Sequence, residues 1–464
     1  MARLLSSAMW SAFGLFLLVL AFRAGAEPLA FGPFRLDSLA LFLGAAVTLV
    51  SAVVHHFALR HMQGDAAYES FFRRLSGLTA LVLLLLAADS VLLFAGLWVA
   101  MGWLLADAIG HVRSWPQAQA AAALARLWFL RGAAALVVGL LLLAAATGSL
   151  SIAGIVAAAG AANPLLVGLG CAALGLAAAI QCGLFPFQRW LLSSMTAPTP
   201  VSAFMHAGLV NAGGILVARF APAFEAAPLV LLLVFAAGAA SALFGQVAAL
   251  VQSDVKRGLA ASTTAQMGFM LMQCGLGFHA AAMTHLVLHG LYKASLFLGA
   301  GSGLAAARRP GSTGTPGAAA IGPALFAALL GGAGFALASG KLGADTGALL
   351  VLFAALAAAQ ASLATSAAAP LVRWAAAPLL LGLGGVLYGA LIRGAEALLA
   401  GTPGLVAPQP LTALHWLAAG AFLAAWIAVQ AGLHRRSAAL YVRVLGLSQP
   451  AAAAITDRRE TAHA

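Results

Sequence analysis

The chain has 464 residues, 63% of them hydrophobic and only 8% charged, with a mean hydropathy of +1.01. A soluble domain carries about 25% charged residues, so soluble globular, disordered and disulfide-framed secreted classes are excluded. The net charge of +12 comes from 24 basic residues scattered singly or in pairs between apolar runs. That pattern fits loops facing anionic lipid rather than a nucleic-acid surface, and no nucleic-acid partner is expected.

A spanning helix needs roughly 20 apolar residues. On that rule the apolar runs give spans at about 8–22, 37–59, 75–88, 90–110, 128–148, 164–185 and 200–219. Further runs lie at about 228–250, 258–276, 280–304, 318–338, 347–368, 374–398 and 411–433. The chain is therefore expected to be an all-α polytopic membrane protein with about 13–14 transmembrane helices. Met1 to Ala24 reads as a first retained helix rather than a removed leader. The stretch from Ser149 to Ala162 is too short for a span and reads as a half-helix or interfacial piece. The longest polar segments are Arg60–Arg74, His111–Arg126, Arg308–Gly317 and the tail after His434. Arg3, Arg60, Arg73, Arg74, Arg113, Arg126 and Arg131 fall on one side, which the positive-inside bias makes cytoplasmic together with the N-terminus. Cys171, Cys182 and Cys274 show no paired spacing and read as buried, inert thiols.

An ionisable group at the centre of the hydrocarbon core costs at least ~2.5–3.5 kcal/mol, so those present need a reason. The first polar cluster is Gln181-Cys-Gly-Leu-Phe-Pro-Phe-Gln-Arg-Trp190, followed by Ala197-Pro-Thr-Pro-Val-Ser-Ala-Phe-Met-His206. Pro186 interrupts a run that would otherwise span, and broken backbone at membrane depth survives only when buried or lining a wet cavity. An ordinary loop before a proline-started helix is the alternative. Ser202 and His206 stand four apart, on one helix face, and a histidine is a natural proton carrier.

The second cluster is His285-Leu-Val-Leu-His289-Gly-Leu-Tyr-Lys293, whose i, i+4, i+8 spacing sets three basic groups along one stripe. It reads as a proton or cation relay, against a polar face satisfied by neighbours or a snorkelling Lys293. Zinc binding by the histidine pair is disfavoured, because no third ligand is evident. The third cluster is the turn Asp254, Lys256 and Arg257, a solvated anchor by charge alone, followed by Ser262, Thr263, Thr264 and Gln266. These hydroxyls and the amide are suited to bonding an interrupted helix or waters. Asp89 is expected at a helix junction, Asp107 either inside or in an interfacial belt, and Lys341 as a loop anchor. From about residue 310 the chain is Ala/Gly/Leu-rich and reads as scaffold.

The stretches Ala197–Gly208, Leu250–Gly268 and His285…His289…Tyr292-Lys293-Ala-Ser-Leu-Phe-Leu298 resemble the antiporter-like membrane subunits of respiratory complex I and Mrp sodium/proton antiporters, over roughly residues 75–305. The resemblance implies two inverted five-helix repeats, each with a broken helix, the first broken near Pro186. It implies N-terminal flanking helices over 1–70, repeats over 71–225 and 226–400, and a C-terminal helix and polar tail over 401–464.

Proton-pumping members carry a glutamate after the tryptophan matching Trp98, where this chain has Val99. They carry a lysine in the broken helix where this chain has Gln181. Losing both partners is unlike a working respiratory pump, and the runs Met205–Gly214 and Met272–Gly277 look like the membrane subunit of the DAB inorganic-carbon accumulation complex. That resemblance implies a bacterial inner-membrane location and a large zinc-containing partner related to β-carbonic anhydrases. It further implies that proton or sodium flow through this chain drives CO2 hydration on the partner. No cofactor is expected in this chain itself. Carried over by position, the ion pathway would use Gln181, Ser202, His206, Asp254, Lys256, His285, His289 and Lys293. The alternative is a proton-translocating subunit of a complex I-like or Mrp-type assembly, and a third reading is an anchor that conducts nothing.

Overall fold

The computed structural model describes residues 1–23, 26–300 and 318–455. The polar stretch 308–317 and the tail beyond 455 lie outside the described residues.

Helix α1 (Ala2–Arg23) leads to a short antiparallel hairpin, β1 (Leu29–Phe31) and β2 (Phe34–Leu36), in which Leu29 faces Leu36. Nothing in the apolar runs announces this hairpin; Gly32, at φ 56°, makes its turn. Asp37 then starts α2 (Ser38–His61) by accepting the Ala40 amide at 2.8 Å. Helices α3 (Tyr68–Ala87), α4 (Val91–Ile109) and α5 (Pro116–Thr147) come next, and α5 stops at Gly148 in the left-handed region. The expected half-helix is α6 (Ile152–Ala158), prolonged by a 3₁₀ turn over Ala159–Ala161. Asn163 caps α7 (Pro164–Gln181) by accepting the amides of Leu165 and Leu166, and Pro164 fills the first helical position.

The helix expected to break near Pro186 does break. After Gln181 the chain runs through Gly183, at φ 59°, and a cis Phe185–Pro186 bond before the short α8 (Arg189–Ser193). A second interruption lies in the next span. There α9 (Thr199–Ala207) and α10 (Ala212–Arg219) are joined by a 3₁₀ turn, Leu209–Asn211. Beyond α11 (Ala221–Glu225) come α12 (Pro228–Val251), α13 (Val255–Gly275) and α14 (His279–Leu298). After the undescribed stretch come α15 (Ile321–Ser339), α16 (Gly347–Leu363), a π-helical turn (Val372–Ala376) running into α17 (Ala377–Leu398), and α18 (Ala413–Gln430).

Among the described residues, eleven helices are long and apolar enough to cross a membrane. Helix α13 carries Lys256, Arg257, three hydroxyls and two glutamines, which lower its hydropathy although its 21 residues suffice in length. The protein is a multi-pass helical membrane protein.

Small residues set the closest packing. A Cβ on Gly238 of α12 would lie 2.6 Å from the Gly268 carbonyl of α13, so only glycine permits this approach. One apolar core extends from α2 through α14, and a second joins α12–α14 to α15–α18. The expected polar tail contains α19 (Leu433–Arg436) and α20 (Ala438–Leu447), and the segment beyond α20 straps back onto the bundle. Gln188 donates to the Leu447 carbonyl at 3.1 Å, Gln252 to Ser448 Oγ at 2.7 Å, and Ala451 N to Ser193 Oγ at 3.0 Å.

Candidate functional site: a buried histidine–lysine stripe

Helix α14 places His285, His289 and Lys293 as their spacing predicts. The His285 and His289 rings stack 5.8 Å apart at 12°, one helical turn separating them. Lys293 is 1% exposed. Its Nζ donates to the Leu259 carbonyl at 2.8 Å and to Ser262 Oγ at 2.5 Å, both on α13. Among the described residues no carboxylate pairs with it. Neutral oxygens alone hold this ammonium, and a buried charge without a counter-charge is costly.

His206 on α9 joins the same constellation from across the bundle. Its Nδ1 meets Thr263 Oγ1 at 3.0 Å, and its ring lies on Phe297 at 4.5 Å. The backbone of His206 also faces the His289 ring, so α9 and α14 are joined through this residue. The Nε2 atoms of His206, His285 and His289 are buried without a hydrogen-bond partner. Buried polar atoms are nearly always satisfied, and both ring nitrogens of His279 and Nε2 of His415 share this deficit.

The hydroxyl run on α13 is shared out among these groups. Ser262 takes Lys293, Thr263 takes His206, and Thr264 donates at 3.1 Å to the Gly183 carbonyl exposed by the break after α7. Gln181, at the end of α7, donates at 3.2 Å to the Leu209 carbonyl, which also accepts the Ala212 amide in the 3₁₀ turn between α9 and α10. Gln181 therefore ties one interruption to the other. Ser202 is fully buried and donates at 3.4 Å to the Ala197 carbonyl, within its own turn; no hydrogen bond joins it to His206. Asp254 is exposed and caps α13, accepting the Arg257 amide at 2.8 Å. With Lys256 and Arg257 it lines a cavity of about 250 Å³ at the end of the bundle, beneath the C-terminal strap. These last residues stand at the end of the bundle, whereas His206, His289 and Lys293 are buried inside it.

Val99 is 39% exposed on the outer surface of α4, while Trp98 before it is buried. Asp89 sits at the expected junction, accepting Ser151 Oγ at 2.5 Å and the Ala153 amide at 2.9 Å. Asp107 bridges Arg74, at 3.3 Å, and Arg113. Sequence reasoning did not find the buried pair Arg219–Asp37, whose partners stand 182 positions apart. Nor did it find that Lys341 is paired, at 2.8 Å, with Glu396 and lies 4.6 Å over the Phe278 ring. Only the amphipathic placement of Glu396 near the end of an otherwise apolar run could have hinted at the latter.

Interrupted helices packed around a buried lysine and histidines are features of a multi-pass helical membrane subunit. Two family models match the chain and together cover more than half of it. The NADH:quinone oxidoreductase/Mrp antiporter transmembrane model matches residues 88–313, and the complex I chain 5 N-terminus model matches residues 31–72. The chain belongs to the complex I/Mrp antiporter-like membrane subunit family.

It is 40% identical over 280 residues to the probable inorganic carbon transporter subunit DabB of Bacillus subtilis, covering 58% of this chain and 54% of that protein. It is 37% identical over 284 residues to NADH-quinone oxidoreductase subunit L of Mycobacterium tuberculosis, covering 60% of this chain and 44% of that one. The chain thus spans about half the length of the curated relatives it matches. In fold it resembles a chain of the Mrp complex from Dietzia sp. (TM-score 0.66, 24% identity, 96% of this chain and 57% of that one). It also resembles a chain of respiratory complex I from Thermus thermophilus (TM-score 0.58, 19% identity, 97% and 95%).

Proposed function

We propose that this chain conducts a cation, most simply a proton, as the membrane subunit of an inorganic-carbon uptake complex in a bacterial inner membrane. The observation that carries the conduction is the buried file itself: Lys293 on neutral oxygens, with His289, His285 and His206 each keeping one ring nitrogen unbonded. Protons would be exchanged between these groups through intervening water. Asp254 and Lys256 would stand at the mouth, with Gln181 holding the two interruptions together and Ser202 supporting α9 from within its own turn. The DabB relatives supply the carbon side of the reading. A large zinc-containing, β-carbonic-anhydrase-like partner would perform CO2 hydration, driven by ion flow through this chain.

A second reading, a subunit of a complex I-like or Mrp-type assembly, is favoured by the subunit L relative and the Mrp fold match. Val99 and Gln181 weigh against it. Gentle purification of the tagged protein from its own membranes, with partner identification and zinc analysis, tests the assignment. A zinc-bearing soluble protein in near-equal amount is the expected result; quinone-reductase or Mrp subunits without zinc would overturn the carbon reading.

A further inference from the structure

Beside the stripe, a cavity of about 520 Å³ opens between helices α12–α14 and the layer formed by α15–α18. Its lining is ordered along the helices. At the end towards Gly275 and Ser339 it is ringed by Phe269, Phe335, Phe353 and Phe422, with Gln273, His285 and Tyr388 among them. Towards the other end the wall narrows in composition to Ala242, Ala265, Ala357, Gly384 and Gly385, with Gln266 and the exposed Gln246 beside them. No charged side chain is among the described lining residues. The neighbouring surface of α17 is lipid-grade, Leu380 and Leu383 being 68% and 63% exposed.

The polar atoms in the aromatic chamber have a specific deficit. Gln273 is 1% exposed and its amide is hydrogen-bonded with the Tyr388 side chain, while its Oε1 has no partner of its own. His285 Nε2 is likewise unpartnered. A buried acceptor left unbonded is costly, and a carboxamide oxygen can be satisfied only by a donor. Four phenyl rings around that acceptor favour a ring by offset or edge contact. An uncharged wall of small residues leading away suits a hydrocarbon chain, and ionic headgroups would be stripped of water there without compensation.

We infer that this cavity is a binding site for a neutral, bilayer-borne amphiphile with a hydroxyl-bearing ring on a hydrocarbon chain, a long-chain phenol in chemical class. Its ring lies among the four phenylalanines, its O–H donates to Gln273 Oε1, and its chain runs past Gly384 and Gly385 to the lipid. His285 is shared between this cavity and the stripe, whereas Gln273 and the four phenylalanines belong to the cavity alone.

The test uses the full chain in lipid nanodiscs and a diazirine-tagged 4-decylphenol. Photolabelling should map to α13, α16 or α17 and saturate. Unlabelled 4-decylphenol should compete about tenfold better than 4-decylanisole, which keeps the shape and lacks the donor. Gln273→Leu should erase the difference between the two competitors. Gly384→Trp should abolish labelling by filling the channel, since a Cβ at Gly384 meets nothing within 4 Å and the fold has room for it. Labelling spread over all lipid-facing helices, or equal competition by the phenol and the anisole against the unsubstituted chain, would overturn the inference and leave the cavity a wetted cleft.

Discussion

Two lysines are buried in this membrane protein, and they are held in opposite ways. Lys293, in the central bundle, is bonded to a carbonyl and a hydroxyl. Lys341, at the end of α15, is neutralised by Glu396 and covered by Phe278. The surrounding helices differ accordingly. Helices α9, α13 and α14 bring hydroxyls, amides and imidazoles to the interior, whereas α15 and α17 meet through glycine. A Cβ on Gly334 would lie 2.6 Å from the Gly382 carbonyl. The lesson is that an ion pair fixes a charge in place, while neutral partners leave it exchangeable. On the proposed reading, one part of the chain holds charge still and the other lets it move.

The largest effect that would break this contrast concerns Lys293. Lys293→Met should lower proton flux in proteoliposomes by about a hundredfold while leaving native migration unchanged, on the scale of a removed proton-transfer group. Undiminished flux would put Lys293 with the structural residues. Next, Lys341→Met strands Glu396, at a cost of roughly 3–5 kcal/mol. The double replacement Lys341→Met/Glu396→Leu should recover most of that loss in thermal unfolding. Additive losses would show that the two side chains do not act as a pair.

A smaller effect tests the packing. Gly238→Ala should destabilise by about 1–3 kcal/mol through overpacking against Gly268, whereas Gly420→Ala, whose Cβ meets nothing within 4 Å, should be near neutral. The smallest lies outside the membrane, at Asp65. Burial there works against its carboxylate, but the His111 hydrogen bond, the Ala67 amide and nearby charge hold its pKa below the ordinary value. A depressed carboxylate contributes stability above its unfolded pKa of about 3.9 and loses it as pH falls through the lower folded value. Asp65→Asn should therefore flatten the acid limb of the stability profile; an unchanged limb would assign that loss to other groups.

Most spans were legible because each is a continuous apolar run. Eleven described helices are long and apolar enough to cross, against the roughly 13–14 expected. Val255–Gly275 and His279–Leu298 carry too many polar residues, and Gly347–Leu363 is short. The break after Gln181 was legible because Pro186 interrupts a run that would otherwise span. The stacking of His285 on His289 is a direct result of a spacing of four. What could not be read is the identity of partners across the bundle. Gln181 meets Leu209 and Thr264 meets Gly183, bonds whose distances along the chain are 28 and 81 residues. The amide-lined cavity was likewise hidden, since its glutamines sit on two helices and its phenylalanines on four, each ordinary alone. The hairpin over 29–36 escaped notice because two three-residue strands leave no period to detect.

The C-terminal strap has a consequence in time. Gln188 and Ser193, next to the interrupted helix, find partners at Leu447 and Ala451 only after about 260 further residues have been synthesised. At about 5–20 residues per second, these groups wait roughly 10–50 s on the ribosome. During that interval the nascent bundle must shelter an uncapped polar end by other means, through water at the interface or through whatever insertion machinery receives it. Closure of this end of the bundle is therefore among the last events in the biogenesis of this fold, and a ribosome stalled beyond α18 would display the interrupted helix uncovered.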